Sequence, residues 1–314
     1  MDLHSSQTSV KIAAIDIGTN TILLLIAEVQ NGAITRILHD QQVIARLGKG
    51  VDAERTIHQE TFVRAEGFLR QYKETCDSFG VDRICAVGTS ALRDAKNREA
   101  FINYISERTG IRIELFSGDD EALWTYRGGI SEFIGTAETY SVVDIGGGST
   151  EIIIGNANEI IEKTSIDLGS VRLTERILKD SPPEIPALIE AHQFIADHMP
   201  SLTKQSASTF CVGVAGTLTT LAALHQKLPH YEPERVSGYR LQYNDVCAMF
   251  GLLKDKSISQ IQAFPQISAG RADIILAGIM ILMGYMESAK MEVITVSDRG
   301  LRYGILLREA VRIA

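Results

Sequence analysis

An α/β protein built from two similar halves, with a phosphate site between them, is the architecture this sequence predicts. Three observations carry that reading. The segment Ile15-Asp16-Ile17-Gly18-Thr19-Asn20 returns in altered form as Asp144-Ile145-Gly146-Gly147-Gly148-Ser149-Thr150. Each copy lies between two apolar runs, so a strand reaches an Asp, turns through Gly and small polar residues, and comes back as a second strand. The elements after each copy then alternate in the same order.

In the first half, strands are expected over residues 10–17, 22–29 and 33–38, with Asn31-Gly32 as a hairpin turn. Phe62, Ala65, Leu69, Tyr72, Cys76 and Phe79 step by three and four, the mark of a helix with one buried face, and Gly80 closes it. A strand over 83–87, a helix over 97–108, a strand over 111–116 and a helix from about 119 follow. The second half repeats the sequence with strands over 140–145, 151–155 and 159–167, a helix over 184–202 and a strand over 209–214. Helices over 217–225, 244–253 and 269–286, a strand over 292–296 and a terminal helix over 299–312 complete it. Two such halves describe a ribonuclease H-like fold in duplicate. The expected domains are residues 1–130 and 131–314, with the terminal helix free to pack back on the first.

Composition narrows the class. A chain of 314 residues suits two domains, and 45% apolar with 22% charged residues is ordinary for a globular protein. The net charge of −8 argues against nucleic acid or anionic membrane as a partner. The most apolar segment, 274–286, is too short to span a bilayer and reads as a buried helix, with Met280, Met283 and Met286 in the core. Residues 1–9 lack the basic and apolar regions of a signal peptide, and the four cysteines show no paired spacing, so a cytoplasmic protein with reduced thiols is expected. The apolar terminal helices fit either a homodimer contact or packing within the chain. The seven histidines have no metal-ligand spacing.

The candidate chemistry sits on turns. A Gly-rich turn directs several backbone N–H groups at one point, which grips phosphate oxygens without bulky side chains, and an adjacent Asp can hold a divalent cation against them. Gly88-Thr89-Ser90 followed by Arg93 suits an anion, although an N-cap with a surface arginine explains it as well. Asp119, Asp120 and Glu121 open a helix, where the macrodipole alone accounts for negative charge, unless one of them faces the cleft and orients a water. Glu151 is a second candidate for that water or for the metal. Gly213-Val214-Ala215-Gly216-Thr217 and Ser297-Asp298-Arg299-Gly300 are further strand–turn–helix junctions. Arg93, Lys96, Arg98, Arg271, Arg299 and Arg302 are the cations available to gather around an anion. Neither a Gly-x-x-x-x-Gly-Lys-[Ser/Thr] loop nor a Gly-x-Ser-x-Gly elbow occurs.

In this order, the two Asp–Gly turns, Gly88 to Ala95, Ser117 to Ala122 and Ser297 to Gly304 resemble the exopolyphosphatase / guanosine-pentaphosphate phosphohydrolase family of the actin, sugar-kinase and heat-shock-chaperone superfamily. The resemblance runs from about residue 10 to 312. It implies the actin-like ATPase fold with the active site in the cleft, and a terminal phosphate held by Asp16, Gly18, Thr19, Asn20, Arg93, Gly146, Gly147, Gly148, Ser149 and Thr150. It further implies Glu121 as the catalytic glutamate, Glu151 as a second acidic residue of the site, and Mg²⁺, or Mn²⁺ in its place, at Asp144. Asp120 departs from the family's usual Glu. Longer members carry an extra helical C-terminal region, and its absence here points to short polyphosphates. The implied substrate is inorganic polyphosphate or guanosine pentaphosphate. An ATP-dependent kinase of the same superfamily, or an alarmone sensor without enzymatic activity, are the competing readings.

Overall fold

The computed structural model describes residues 9–201 and 208–313. β1 (Val10–Ile17), β2 (Thr21–Gln30) and β3 (Ala33–Ile44) form a meander, after which α1 (Val51–Glu54) and α2 (Gln59–Phe79) lead to β4 (Arg83–Gly88). α3 (Ser90–Asp94) and α4 (Arg98–Thr109) connect to β5 (Ile113–Leu115), and α5 (Gly118–Ile130) leaves this unit. β6 (Tyr140–Ile145), β7 (Thr150–Gly155) and β8 (Ile160–Ile166) then repeat the meander. α6 (Ser170–Arg176), α7 (Ile185–His198), β9 (Phe210–Val214), α8 (Ala215–His225) and α9 (Pro233–Val236) follow. β10 (Arg240–Gln242), α10 (Tyr243–Leu253), α11 (Ile258–Ile261), α12 (Ile275–Ser288), β11 (Val293–Val296) and α13 (Leu301–Ile313) end the chain.

The sheet orders are β3-β2-β1-β4-β5 and β10-β11-β9-β6-β7-β8. Matching β6 to β1, the second sheet reproduces the first with β8-β7-β6-β9-β11 and adds β10 at the edge. In each, the first two pairings are antiparallel and the crossovers parallel. The duplication holds at the level of single residues. Asp16 pairs with Leu23 and Val87, and Asp144 with Glu151 and Val214, so both aspartates sit one residue before the end of equivalent central strands. This is a duplicated ribonuclease H-like architecture.

Each sheet buries both faces, which is why its central strands read as continuous apolar runs. α2, α3 and α4 cover one face of the first sheet, and α6, α7, α8, α10 and α12 one face of the second. The remaining faces are covered by an exchange. α13, the end of the chain, packs Leu301, Ile305, Leu306 and Ala310 on β1 and β2. α5 packs Ala122, Tyr126 and Ile130 on β6, β7 and β9. The two helices cross where neither tolerates a side chain: a Cβ on Gly304 would overlap the Trp124 carbonyl, and one on Gly128 the Gly300 carbonyl. Among the described residues, no helix is long and apolar enough to cross a membrane, and all four cysteines are free.

Several expected boundaries shift for local reasons. β3 continues to Ile44 because its alternation is masked by a half-exposed, polar outer face. The helix expected over 184–202 ends at His198, just ahead of Met199-Pro200; residue 202 lies outside the described residues. The helix expected from 269 begins at Ile275, because Gly270 packs on Ile44 and gives its carbonyl to Asn20 Nδ2 at 3.2 Å. The short β10, α1, α3 and α6 carry too few residues for a period to show.

The helix crossing predicts opposite effects for two glycine substitutions. Gly304→Ala is expected to cost about 3 kcal/mol through overpacking. Gly67→Ala, on α2 with nothing within 4 Å of the added carbon, should stabilise by about 0.5–1 kcal/mol. Urea unfolding of both variants checks the pair of signs.

Candidate functional site

The carboxyl ends of β1, β4, β6 and β9 meet at a cavity of about 290 Å³, the usual place for a ligand in an open α/β sheet. Asp16, Gly18, Thr19, Asn20, Glu121, Asp144, Gly146, Gly147 and Ser149 all line it, so most of the residues singled out by the sequence come together. Thr89, Ser90, Gly216, Thr217, Arg271, Asp298 and Arg302 contribute further to the wall. Gly148, Arg93, Thr150 and Glu151 lie just off it. Thr150 Oγ1 donates to the Leu168 carbonyl, and Glu151, 1% exposed, accepts from Ser165 Oγ at 2.8 Å. Lys96, Arg98 and Arg299 are not part of the lining.

The two glycine turns are held in the same way. Gly18 N donates to the Thr21 carbonyl and Gly146 N to the Ser149 carbonyl, closing each turn at about 3 Å. The carbonyls behind them are then taken up by protein. Thr19 O accepts from Gly48 N and Asn20 O from Arg46 N, both at 2.8 Å. On the second turn, Gly146 O accepts from Ser170 N and Gly147 O from Val171 N, both at 2.9 Å, while Gly148 O accepts from Arg172 Nε at 2.7 Å. In a planar trans peptide the next N–H points opposite to the carbonyl. The amides of Asn20, Gly147, Gly148 and Ser149 therefore face away from these anchors, and they have no acceptor among the described residues.

Close approach explains the glycines. A Cβ on Gly148 would sit 2.6 Å from Ser90 Oγ and 3.0 Å from Thr19 Oγ1, and one on Gly147 2.9 Å from Thr19 Cβ. Thr19 and Ser90 hydrogen-bond each other at 2.8 Å, so the second turn lies directly on the first unit. Thr19, Gly147, Gly148, Asp52 and Arg172 also line a second, shallow depression of about 10 Å³.

The three carboxylates at the start of α5 separate cleanly. Asp119 is exposed and pairs with Lys163, and Asp120 is tied to the N-cap Ser117, which accepts from Asp120 N at 3.1 Å. Glu121 alone turns inward, 8% exposed, and pairs with Arg93 at 2.5 Å. Burial raises its carboxyl, against the opposing pull of Arg93. Burial, then the charges of Glu121 and Asp144, lift Asp16 to about 8, and burial with Glu121 lifts Asp144 to about 7. Glu151 is raised well above its usual range by burial and by Glu121 and Asp144. On another part of the wall, Arg271 reaches Thr220 Oγ1 and Gln42 Oε1 at 3.1 Å, and Arg302 pairs with Asp40 at 2.9 Å.

Some of the site escaped the sequence reading. Arg172, Asp52 and Asp94 form a buried cluster across the cleft, and the anchors at 46–48 and 169–172 hold the turns. One signal was available for the anchors: Leu47-Gly48 and Leu168-Gly169 each follow the third strand of a half, so the repeat extends beyond the turns. The ion cluster offered none, because its members are 120 and 78 residues apart in sequence.

Residues 25–312 match the model of the Ppx/GppA phosphatase family. Over 313 residues, covering 95% of this chain and 98% of the other, the chain is 34% identical to exopolyphosphatase 2 of Mycobacterium tuberculosis. It is 27% identical to the guanosine-5'-triphosphate,3'-diphosphate pyrophosphatase of Photobacterium profundum, over 94% of this chain and 58% of that one. The crystal structure of the Aquifex aeolicus member of the Ppx/GppA family aligns with a TM-score of 0.81 at 31% identity, covering 98% of this chain and 99% of that chain.

The Asp52 pairing makes the seam between the units sensitive to acid. Burial alone would raise the Asp52 carboxyl, but the hydrogen bond from Arg176 and the charges of Arg172, Arg176 and Arg55 hold it below its ordinary value of 3.8. A lowered native pKa contributes stability that is present above that ordinary value and is lost as pH falls through the native one. Asp52→Asn is expected to cost about 1–2 kcal/mol at pH 7, because the pairing is only partly screened from solvent. The gap from wild type should narrow near pH 3, as denaturant titrations at the two pH values would show.

Proposed function

The chain belongs to the Ppx/GppA phosphatase family, an enzyme family of phosphoanhydride hydrolases, and on that premise we propose that it is an exopolyphosphatase. It would release orthophosphate from the end of inorganic polyphosphate, and also from guanosine pentaphosphate. The observation that carries this reading is the pair of back-anchored glycine turns facing one cavity with a buried glutamate beside them. Similarity to an exopolyphosphatase of Mycobacterium tuberculosis and to a guanosine-5'-triphosphate,3'-diphosphate pyrophosphatase of Photobacterium profundum supports the two substrates.

Phosphoryl transfer asks for little beyond positioning and charge stabilisation. The outward amides of Asn20, Gly147 and Ser149 would bind the oxygens of the terminal phosphate, and they are already oriented before it arrives. Glu121 would hold the attacking water and accept its proton, a role suited by a carboxyl whose pKa burial has raised. The phosphorus–oxygen bond to the rest of the chain breaks, and the shortened chain leaves with the bridging oxygen. Arg93 is read here as the residue that orients Glu121, since its guanidinium is engaged by that carboxylate and also reaches the Phe116 carbonyl at 3.3 Å. Glu151, buried against Ser165, supports the acidic side of the site from behind the wall.

The residues fit a divalent cation. Asp16 and Asp144 are half-buried residues on one cavity, and Asp16 Oδ1 is enclosed without a partner among the described residues. Mg²⁺ is usually bound by one or two carboxylates with phosphate and water, the number that Asp16 and Asp144 could supply. Asp144, with Asp16 opposite, would hold the ion, which when bound supplies positive charge to the phosphate oxygens.

Two measurements test the reading. Glu121→Ala is expected to slow orthophosphate release from short polyphosphate about 10²–10⁴-fold while substrate still binds. Near-normal turnover in that variant removes Glu121 as the base, and a wild type releasing nothing from short polyphosphate, long polyphosphate or guanosine pentaphosphate removes the activity. Chelation with EDTA should abolish release, and Mg²⁺ should restore it and raise the melting temperature of the chelated protein. In Asp144→Asn that thermal shift should disappear; a full shift would place the ion elsewhere.

A further inference from the structure

We propose that Arg172 is a positioning residue that keys the second glycine turn to the helix carrying Arg93. It rests on the hydrolase reading only for its kinetic readout. Arg172 lies on the short helix α6 and its side chain is 5% exposed. Its guanidinium spends its donors in three directions: Nε on Gly148 O at 2.7 Å, Nη1 on Asp52 Oδ1 at 2.5 Å and Nη2 on Asp94 Oδ2 at 2.6 Å. Its own backbone N–H also reaches Gly147 O, at 3.1 Å. One planar group thus joins a turn of the second unit to two acids of the first.

The partners explain what this does. Gly148 O is the back of the peptide whose N–H belongs to Ser149, so the Arg172 bond sets where that amide points. Asp94 is the neighbour of Arg93 on α3, and Arg93 holds Glu121. Asp94 is further held by Arg55 and Asp52 by Arg176, so neither acid depends on Arg172 alone for a charge partner. A buried ionic cluster is weak as a source of stability, and apolar side chains would fill the same volume at similar or lower cost. What they could not do is bind a carbonyl and two carboxylates in one fixed fork. Lysine would keep the charge but lacks the fork. The phosphate amides and the Glu121 pair are therefore placed in register by a residue that touches neither substrate nor water.

The test compares Arg172→Met, Arg172→Lys and Arg176→Met with wild type. Arg176 shares Asp52 but reaches no turn. Each protein is measured for kcat and KM on tripolyphosphate, for inorganic phosphate binding by calorimetry, and for melting temperature. Arg172→Met should lower kcat at least tenfold and weaken phosphate binding at least fivefold, with Arg172→Lys between it and wild type. Arg176→Met should stay within threefold on both while losing stability. If Arg172→Met and Arg176→Met lose stability and activity alike, or if folded Arg172→Met matches wild type in kcat and phosphate affinity, the proposal falls. Should Arg172→Met not fold, Arg172→Lys decides, and wild-type values for it overturn the proposal. A wild type that binds phosphate yet hydrolyses no tripolyphosphate sinks the hydrolase reading instead, and the affinity comparison still judges Arg172.

Discussion

The cleft depends on one requirement: the carbonyls behind both glycine turns must be satisfied by the protein. A buried backbone oxygen without a partner costs enough to reorganise a loop. Here Gly48 and Arg46 on one side, and Ser170, Val171 and Arg172 on the other, take up those oxygens. The amides are left with nowhere to donate except the cavity. A site that binds oxyanions with backbone groups gains by having them aimed beforehand, since no reorganisation then accompanies binding. The duplication supplied this device twice, and the two copies close on the same space.

The exchange of helices determines what joins the amides there. α5 follows the first sheet along the chain but lies on the second, and α13 closes the chain by returning to the first. Their crossing at Gly128 and Gly304 brings the backbones together and leaves the start of α5 at the cavity. Glu121 is thereby carried into a space already holding Asp16 and Asp144. Burial raises all three carboxyls, the charge of Glu121 adds to the rise at Asp16 and Asp144, and Arg93 pairs directly with Glu121. The raised carboxyls of this corner and the Arg93 pairing are two sides of the same crowding.

How much of this could be read in advance follows from range. The strands, the Asp–Gly turns and the helix from Gln59 to Phe79 were legible, because their signals lie within one element and repeat at a fixed period. The inward turn of Glu121 beside two outward aspartates was legible only as an alternative, since the helix start explains all three equally well. Arg93 was expected at phosphate, and the pairing of its guanidinium with Glu121 could not be read from the sequence. The cluster of Arg172, Asp52 and Asp94 was beyond reach, because nothing local distinguishes a buried arginine that bridges two units from one on a surface. The packing of α13 within the chain likewise becomes visible only when the first sheet exposes the face it covers.

The second turn rests on Thr19 and Ser90, two side chains of the first unit. The amides of the second turn are thus seated on side chains of the other unit, and a shift of one unit against the other would move them.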